Sequence, residues 1–399
     1  MMPGIETGSR PFDDLRIIEI AETPGGEMVG YLMGGMGAEV IKLEPPQGSP
    51  TRTVGPFRNG EAGPNNSLSF WYYNSNKKSA VLDLDAAGGL DRLDRLLGDS
   101  DVLLITLQPH QLNAKGIDLD ALSARHPKLI VLAVTNFGLT GPWKDYISSE
   151  LTALAAGGPL DMCGYDDHSI PPILPGGNQA YHIVSTFALK ALLVALLERQ
   201  LSGEGQIVDV SMHEACAVTV ELANPYWFYP KALVHRQTCR HAQPTPTQPA
   251  LFECADGRYV YFALMLSEPK PWAALVEWMD GEGMAANLVD PQYANFAYRS
   301  SNYPDVQTIV ECFFLIKGSQ EVFLEGQKRG LPIAVIASPE ELIDDPHFNE
   351  RGFFVDVDHG EAGTFRYPGA PYQFSAFDSA PRIRAPLLGE HTLAVLADG

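Results

Sequence analysis

Paired cysteines are missing from this sequence. Its five, Cys163, Cys216, Cys239, Cys254 and Cys312, are scattered with no CxxC spacing, which points to reduced thiols rather than a disulfide framework or a zinc ribbon. Cations are scarce: 28 Lys and Arg stand against 49 Asp and Glu, for a net charge of −21. Such a field repels nucleic acid and anionic membrane surfaces, so neither is an expected partner. The opening MMPGIETGSRPFDD has none of the basic-then-apolar layout of a leader. No apolar run reaches the roughly 20 residues of a bilayer span; the longest, Ile183 to Leu197, is broken by Lys190. The cytoplasm is the expected compartment. Walker A, GxSxG and HExxH motifs and any His/Cys cluster are absent, so no metal is expected. Gly25, Gly26, Gly30, Gly34, Gly35 and Gly37 crowd one segment without fitting GxGxxG. Close packing of a helix on a sheet is the plainer reading of them.

What the chain does have is 45% hydrophobic residues spread over 399 positions, more than one core usually serves. Short β-branched runs at Leu15 to Ile20, Ala38 to Leu43, Asp101 to Thr106 and Leu129 to Thr135 alternate with helical stretches at Gly25 to Gly37 and Leu90 to Leu97. Strands separated by helices predict an α/β fold with a doubly wound, Rossmann-like parallel sheet. Ligands in such sheets sit beyond the carboxyl ends of the strands, so chemistry is sought just after Ile20, Leu43, Thr106 and Thr135. An apolar helix over Ile183 to Gln200 leads to a strand at Gln206 to Ser211. Pro225 to Pro249 reads as a linker, and ALFECADGRYVYFAL as a strand-turn-strand opening of a smaller α+β domain. The resulting division is 1–224, a large Rossmann-like domain; 225–340, linker and small domain; and 341–399, a segment returning to the large domain.

Five longer segments carry a resemblance. Thr23 to Arg52 contains GAEVIKLEPPQGSPTR, Asn74 to Ser79 reads NSNKKS, and Thr135 to Pro142 reads TNFGLTGP. Leu196 to Ser211 reads LLERQLSGEGQIVDVS, and Ala385 to Thr392 reads APLLGEHT. In order and along nearly the whole chain, these resemble the family III CoA-transferases (CaiB/BaiF). The resemblance implies coenzyme A as part of an acyl-CoA substrate, a carboxylic acid acceptor, and an intertwined ring-like homodimer. Lys42, Arg52, Lys77 and Lys78, basic residues at or just past strand ends in an acidic chain, become candidates for the CoA phosphates and adenine region. The turn at Asn136, Phe137 and Gly138 is a candidate for bringing backbone N–H groups to a thioester oxygen.

The departures bear on mechanism. The family's catalytic aspartate attacks the thioester and forms a mixed anhydride. Counting back from Gly203-Glu204-Gly205-Gln206 puts that position at Tyr181, with no carboxylate between Ser169 and Glu198. Gln108 stands where the family carries an arginine that contacts CoA, and is kept as a CoA contact. Ser149 stands where the related racemases carry a histidine. The candidates for catalysis are therefore Tyr181, His182 and Glu150, with acid-base roles. Three functions follow: CoA transfer, isomerase, lyase or hydratase chemistry on an acyl-CoA, or a non-catalytic subunit paired with a paralogue that keeps the aspartate. The aromatics Tyr226 to Tyr229 and the apolar run near Met265 are candidates for an acyl pocket, an interface or a core.

Overall fold

The computed structural model describes residues 10–220, 222–264 and 267–397; Met265 lies outside them. The chain divides into two compact units. The larger runs to Pro159, resumes from Leu174 to Val220, and takes in the chain from Pro346 onward; the smaller holds Leu160 to Ile173 and the stretch after Val220 up to Asp345.

In the larger unit, β1 (Arg16–Ile20), β2 (Glu39–Glu44), β3 (Lys77–Val81), β4 (Val102–Ile105), β5 (Ile130–Thr135) and β6 (Ile207–Ser211) form one sheet. Its order is β3-β2-β1-β4-β5-β6, with every pair parallel. The winding reverses between β1 and β4, which makes their carboxyl ends the switch point. Four predicted strands match β1, β2, β4 and β5 within about a residue at each end. β3 is different: it begins inside NSNKKS, a stretch whose polar residues hide a strand.

The two faces of this sheet have different chemistry. On one, Ile18, Ile41, Leu103 and Val131 form an apolar core with Leu93, Leu97, Leu112, Leu119 and Leu122. On the other lies helix α1 (Pro24–Gly35), and beneath it is a fully buried ion cluster. Glu19 and Lys42 are register partners on β1 and β2. Lys42 Nζ lies 3.2 Å from Glu19 Oε1 and 2.9 Å from Glu27 Oε1, and donates to Ala21 O at 2.7 Å. Lys77 Nζ lies 2.8 Å from Glu19 Oε2 and donates to Glu27 O and Asn74 Oδ1. Arg52 grips Glu44 through Nε at 2.6 Å and Nη2 at 2.8 Å, with its guanidinium 3.8 Å over the Phe70 ring.

Glycine makes room for this cluster. Gly26, Gly30 and Gly34 recur every four residues along one stripe of α1. A methyl group at Gly30 would sit 1.9 Å from Glu19 Oε2, and one at Gly26 would sit 2.3 Å from Thr106 Cγ2. The glycine run is thus a packing device, as its failure to fit a nucleotide loop implied.

The chain's end covers the exposed edge of β3. Ser79 N–H donates to His391 Nδ1, Val81 N–H to Thr392 Oγ1, and His391 N–H to Ser79 O. An unpaired edge invites association with another chain, so the APLLGEHT segment has a structural task here.

Helix α2 (Leu68–Tyr73) precedes β3; α3 (Gly89–Gly98), α4 (Pro109–Lys115) and α5 (Leu119–Arg125) follow on the apolar face, and α6 (Glu150–Gly157) and α7 (Gln179–Ser202) come after β5. α7 is 24 residues long and passes a length-and-composition test for crossing a membrane. In this fold it packs on α1, β5 and β6, burying Ala180, Val184, Ala188, Leu192 and Leu196. It ends at Gly203, whose φ of 80° suits the left-handed cap that glycine accepts best.

In the smaller unit, the stretch read as a linker contains a short helix, Ala223–Phe228, and a two-stranded ribbon, His235–Gln237 with Arg240–Gln243. Trp227, Phe228 and Tyr229 are exposed rather than core. The predicted hairpin is present as Leu251–Glu253 and Tyr259–Phe262, turning at Gly257 with φ 72°. Phe252, Phe262, Trp278, Phe313 and Phe314 centre its own core.

Two outcomes test the ion cluster. Gly30→Ala, which must displace a buried carboxylate, is expected to cost about 3 kcal/mol or more. Gly35→Ala has nothing within 4 Å and is expected to be neutral or slightly stabilising; urea midpoints compare the two. Burial works against the Glu44 carboxylate, but Arg52 and Lys42 hold its pKa down to about 2. A depressed carboxylate contributes stability above its ordinary pKa and loses it as pH falls toward the depressed one. The urea midpoint of the wild type is therefore expected to fall toward that of Glu44→Gln as pH drops from about 5 to 2.

Candidate active site

At the switch point, a cleft of about 290 Å³ opens beyond the carboxyl ends of the strands. It is lined by the segments after β1 (Ile20 to Glu22), β2 (Leu43 to Gln47) and β3 (Leu82 to Asp85), with Leu107 and Lys115. Its polar wall is largely acidic. Lys115 is paired with Asp85 at 2.8 Å.

Three of the cations expected to meet CoA do not face this cleft as free charges. Lys42, Arg52 and Lys77 are 0%, 1% and 6% exposed and are spent on Glu19, Glu27 and Glu44. Burial would lower the pKa of Lys42, but Glu27 and Glu19 outweigh it and push it well above the usual lysine value. For Lys77 burial wins, and its pKa is lowered. The expectation that they stand as free cations for the CoA phosphates is therefore corrected: they are buried and paired with carboxylates. Adjacent charges of both signs on neighbouring strands were the signal available. Lys78 remains exposed, paired with Glu39 at 2.5 Å near the amino end of β3.

Gln108 and Asn136 are brought together. Gln108 caps α4 and accepts the Asn136 N–H at 3.0 Å, while its Nε2 donates to Thr106 O at 3.0 Å. It thereby ties the carboxyl end of β4 to that of β5. Gly138 adopts φ 89° and donates its N–H to Thr135 Oγ1; Leu139 N–H goes to Asp209 Oδ2. The amides of Asn136, Gly138 and Leu139 are thus committed to the protein, which leaves the Phe137 N–H as the donor of the predicted turn with no acceptor among the described residues. Phe137 packs edge-on against Trp143 and Tyr146.

Tyr181 and His182 lie in the first turn of α7, where Ser185 Oγ donates to Gly25 O and ties the helix to the start of α1. Tyr181 Cδ1 is 3.4 Å from where a Cβ on Gly25 would stand. His182 Nε2 is 3.2 Å from Tyr73 Oη, and Asn178 Nδ2 donates to the same hydroxyl at 3.0 Å. Burial raises the pKa of Tyr181, and the charge of Glu150 adds to the rise. Burial lowers that of His182 against the opposing pull of Glu150. Glu150 opens α6, with Oε1 buried and without a hydrogen-bond partner. The three candidates are therefore electrostatically coupled. Tyr73, which closes the polar cluster, was not legible because 105 residues separate it from Asn178. Among the described residues, no group of three or more His, Cys, Asp or Glu is arranged to hold a metal.

A sequence profile of CoA-transferase family III matches residues 12–392. The chain belongs to that family. It is 30% identical over 395 residues to succinyl-CoA:(R)-benzylsuccinate CoA-transferase subunit BbsE of Thauera aromatica, covering 97% of this chain and 94% of the relative. It is 28% identical to the succinyl-CoA–D-citramalate CoA-transferase of Chloroflexus aurantiacus, covering 98% and 94%. Its fold matches the crystal structure of a CaiB/BaiF family protein from Brucella suis with a TM-score of 0.83 and 25% identity, over 98% and 99% of the two chains. The family III resemblance thus holds across the chain, with its mixed α/β fold and six-stranded parallel sheet.

Within this member, Gln108→Ala is expected to leave the Asn136 N–H without its acceptor. The cost should be about 1–2 kcal/mol, read by denaturant unfolding, with faster amide exchange at Asn136.

Proposed function

We propose that this chain works in the transfer of CoA from an acyl-CoA thioester to a carboxylic acid. The observation that carries the reading is the cleft at the β1/β4 switch point, where doubly wound folds hold their ligands, in a chain whose relatives carry out CoA transfer. On this reading the cleft takes part of the thioester substrate, and the cluster of Tyr181, His182, Tyr73 and Glu150 lies by the acyl end.

The family's route needs a carboxylate: it attacks the thioester carbonyl, the C–S bond breaks, and CoA leaves as thiolate while an anhydride forms. Tyr181 cannot serve. Its raised pKa keeps it a neutral phenol near pH 7, and a phenol would give an ester rather than an anhydride. That substitution favours a second reading, in which the chain is one of two related subunits and its partner supplies the aspartate. Two relatives are named as subunits, BbsE and the beta subunit of a succinyl-CoA–L-malate CoA-transferase. A homodimer is the alternative assembly, and the cytoplasm, where five free cysteines stay reduced, is the proposed compartment.

Mass spectrometry of acyl-CoAs incubated with the isolated chain, with and without succinate and in D₂O, separates the cases. A new acyl-CoA that depends on the acid supports transfer by this chain alone. CoA binding with no turnover supports the paired-subunit reading. Acid-independent deuterium uptake, or a changed acyl mass, would overturn both in favour of isomerase or lyase chemistry.

A further inference from the structure

The hydrogen-bond chain Asn178–Tyr73–His182 has a direction, and that direction fixes what His182 offers to a substrate. Tyr73 is 5% exposed, at the end of α2. Its hydroxyl has one proton to give and two lone pairs to receive. Asn178 Nδ2 occupies a lone pair at 3.0 Å. The remaining neighbour within hydrogen-bond distance is His182 Nε2 at 3.2 Å. With the Asn178 amide turned to donate, a proton on Nε2 as well would leave the phenolic hydrogen with no protein acceptor among the described residues, at the cost of a poorly satisfied donor. Among the described residues Nδ1 of His182 has no hydrogen-bond partner, and it is not one of the buried polar atoms left unsatisfied.

The structure assigns Tyr73 as a positioning residue: its hydroxyl donates to His182 Nε2 and holds the imidazole as the Nδ1–H tautomer, so that His182 presents a hydrogen-bond donor, not a base, to an acyl or carboxylate oxygen. Burial supports both ends of this arrangement, because it raises the pKa of Tyr73 and lowers that of His182. The phenol keeps its proton and the ring stays neutral near pH 7. The charge of Glu150 pulls the other way, against the burial that favours the neutral ring. The role of the donor rests on the transfer reading above; the tautomer does not.

Nitrogen-15 spectra of histidine-labelled full-length protein read the tautomer directly. The wild type is expected to show His182 protonated at Nδ1. Tyr73→Phe, which keeps the ring, is expected to shift a measurable fraction to Nε2–H with an unchanged melting temperature to within a few degrees. Where the chain turns over acyl-CoA, the same variant should lower kcat about tenfold with little change in KM, the loss of roughly one oriented hydrogen bond. An Nε2–H wild type, or a tautomer indifferent to Tyr73→Phe, overturns the assignment. Absence of turnover in the wild type would count against transfer by this chain alone and would leave the spectra to decide the tautomer.

Discussion

The larger unit depends on burying three carboxylates and three cations together on one face of its sheet. Moving a charge out of water costs several kcal/mol even after relaxation, and only close, well-satisfied pairing offsets it. Here the pairing is dense. Glu19 is shared by Lys42 and Lys77, Glu27 by Lys42 and Thr51, and Glu44 by Arg52 and Ser79. Each carboxylate therefore reaches at least two donors, and three acidic side chains are matched by three basic ones. Its position matters more than its energy. Glu19 is on β1, Lys42 and Glu44 on β2, Lys77 on β3 and Glu27 on α1, so one network fixes the register of three strands and the seat of a helix.

That seat sets the candidate active site. α1 begins immediately after the segment that lines the cleft, and its first turn receives Ser185 of α7 through Gly25 O. Tyr181 and His182 are one turn away. A displacement of α1 would move them together with the cleft, because the glycine stripe leaves no slack between helix and sheet. A glycine-rich helix opening a doubly wound fold is easily mistaken for a phosphate loop. In this chain its small residues serve an ion cluster instead, and the ligand space lies beyond it.

Apolar strands were legible from sequence and the charged one was not, for a physical reason. LRIIEI and LIVLAVT display their burial, whereas KKSAV buries Lys77 and Ser79 by pairing them with acids 58 and 35 residues away. A local pattern cannot show where a charge finds its partner. The same blindness turned Lys42 and Arg52 into surface candidates. By contrast, Tyr181 was found by counting back along the family resemblance from Gly203-Glu204-Gly205-Gln206, although the apolar pattern started the helix only at Ile183 and so missed the first turn of α7. Tyr73 had no such ruler; its part follows only from the distance to His182.

The loss of the aspartate reshapes the site's electrostatics as well as its nucleophile. An aspartate at position 181 would have put a second negative charge beside Glu150, and like charges so placed resist shared ionisation. With Tyr181 neutral, Glu150 acts on Tyr73, Tyr181 and His182 alike, and Glu27 also acts on Tyr73. On the proposed reading, a cluster of two neutral hydrogen-bonding rings and one acid would offer donors to an oxygen-rich acyl group. It is poorly suited to carrying that group as an anhydride. On the proposed reading in which a related subunit supplies the aspartate, a chain that keeps the fold without that carboxylate would bind and orient the substrate while its partner attacks the thioester.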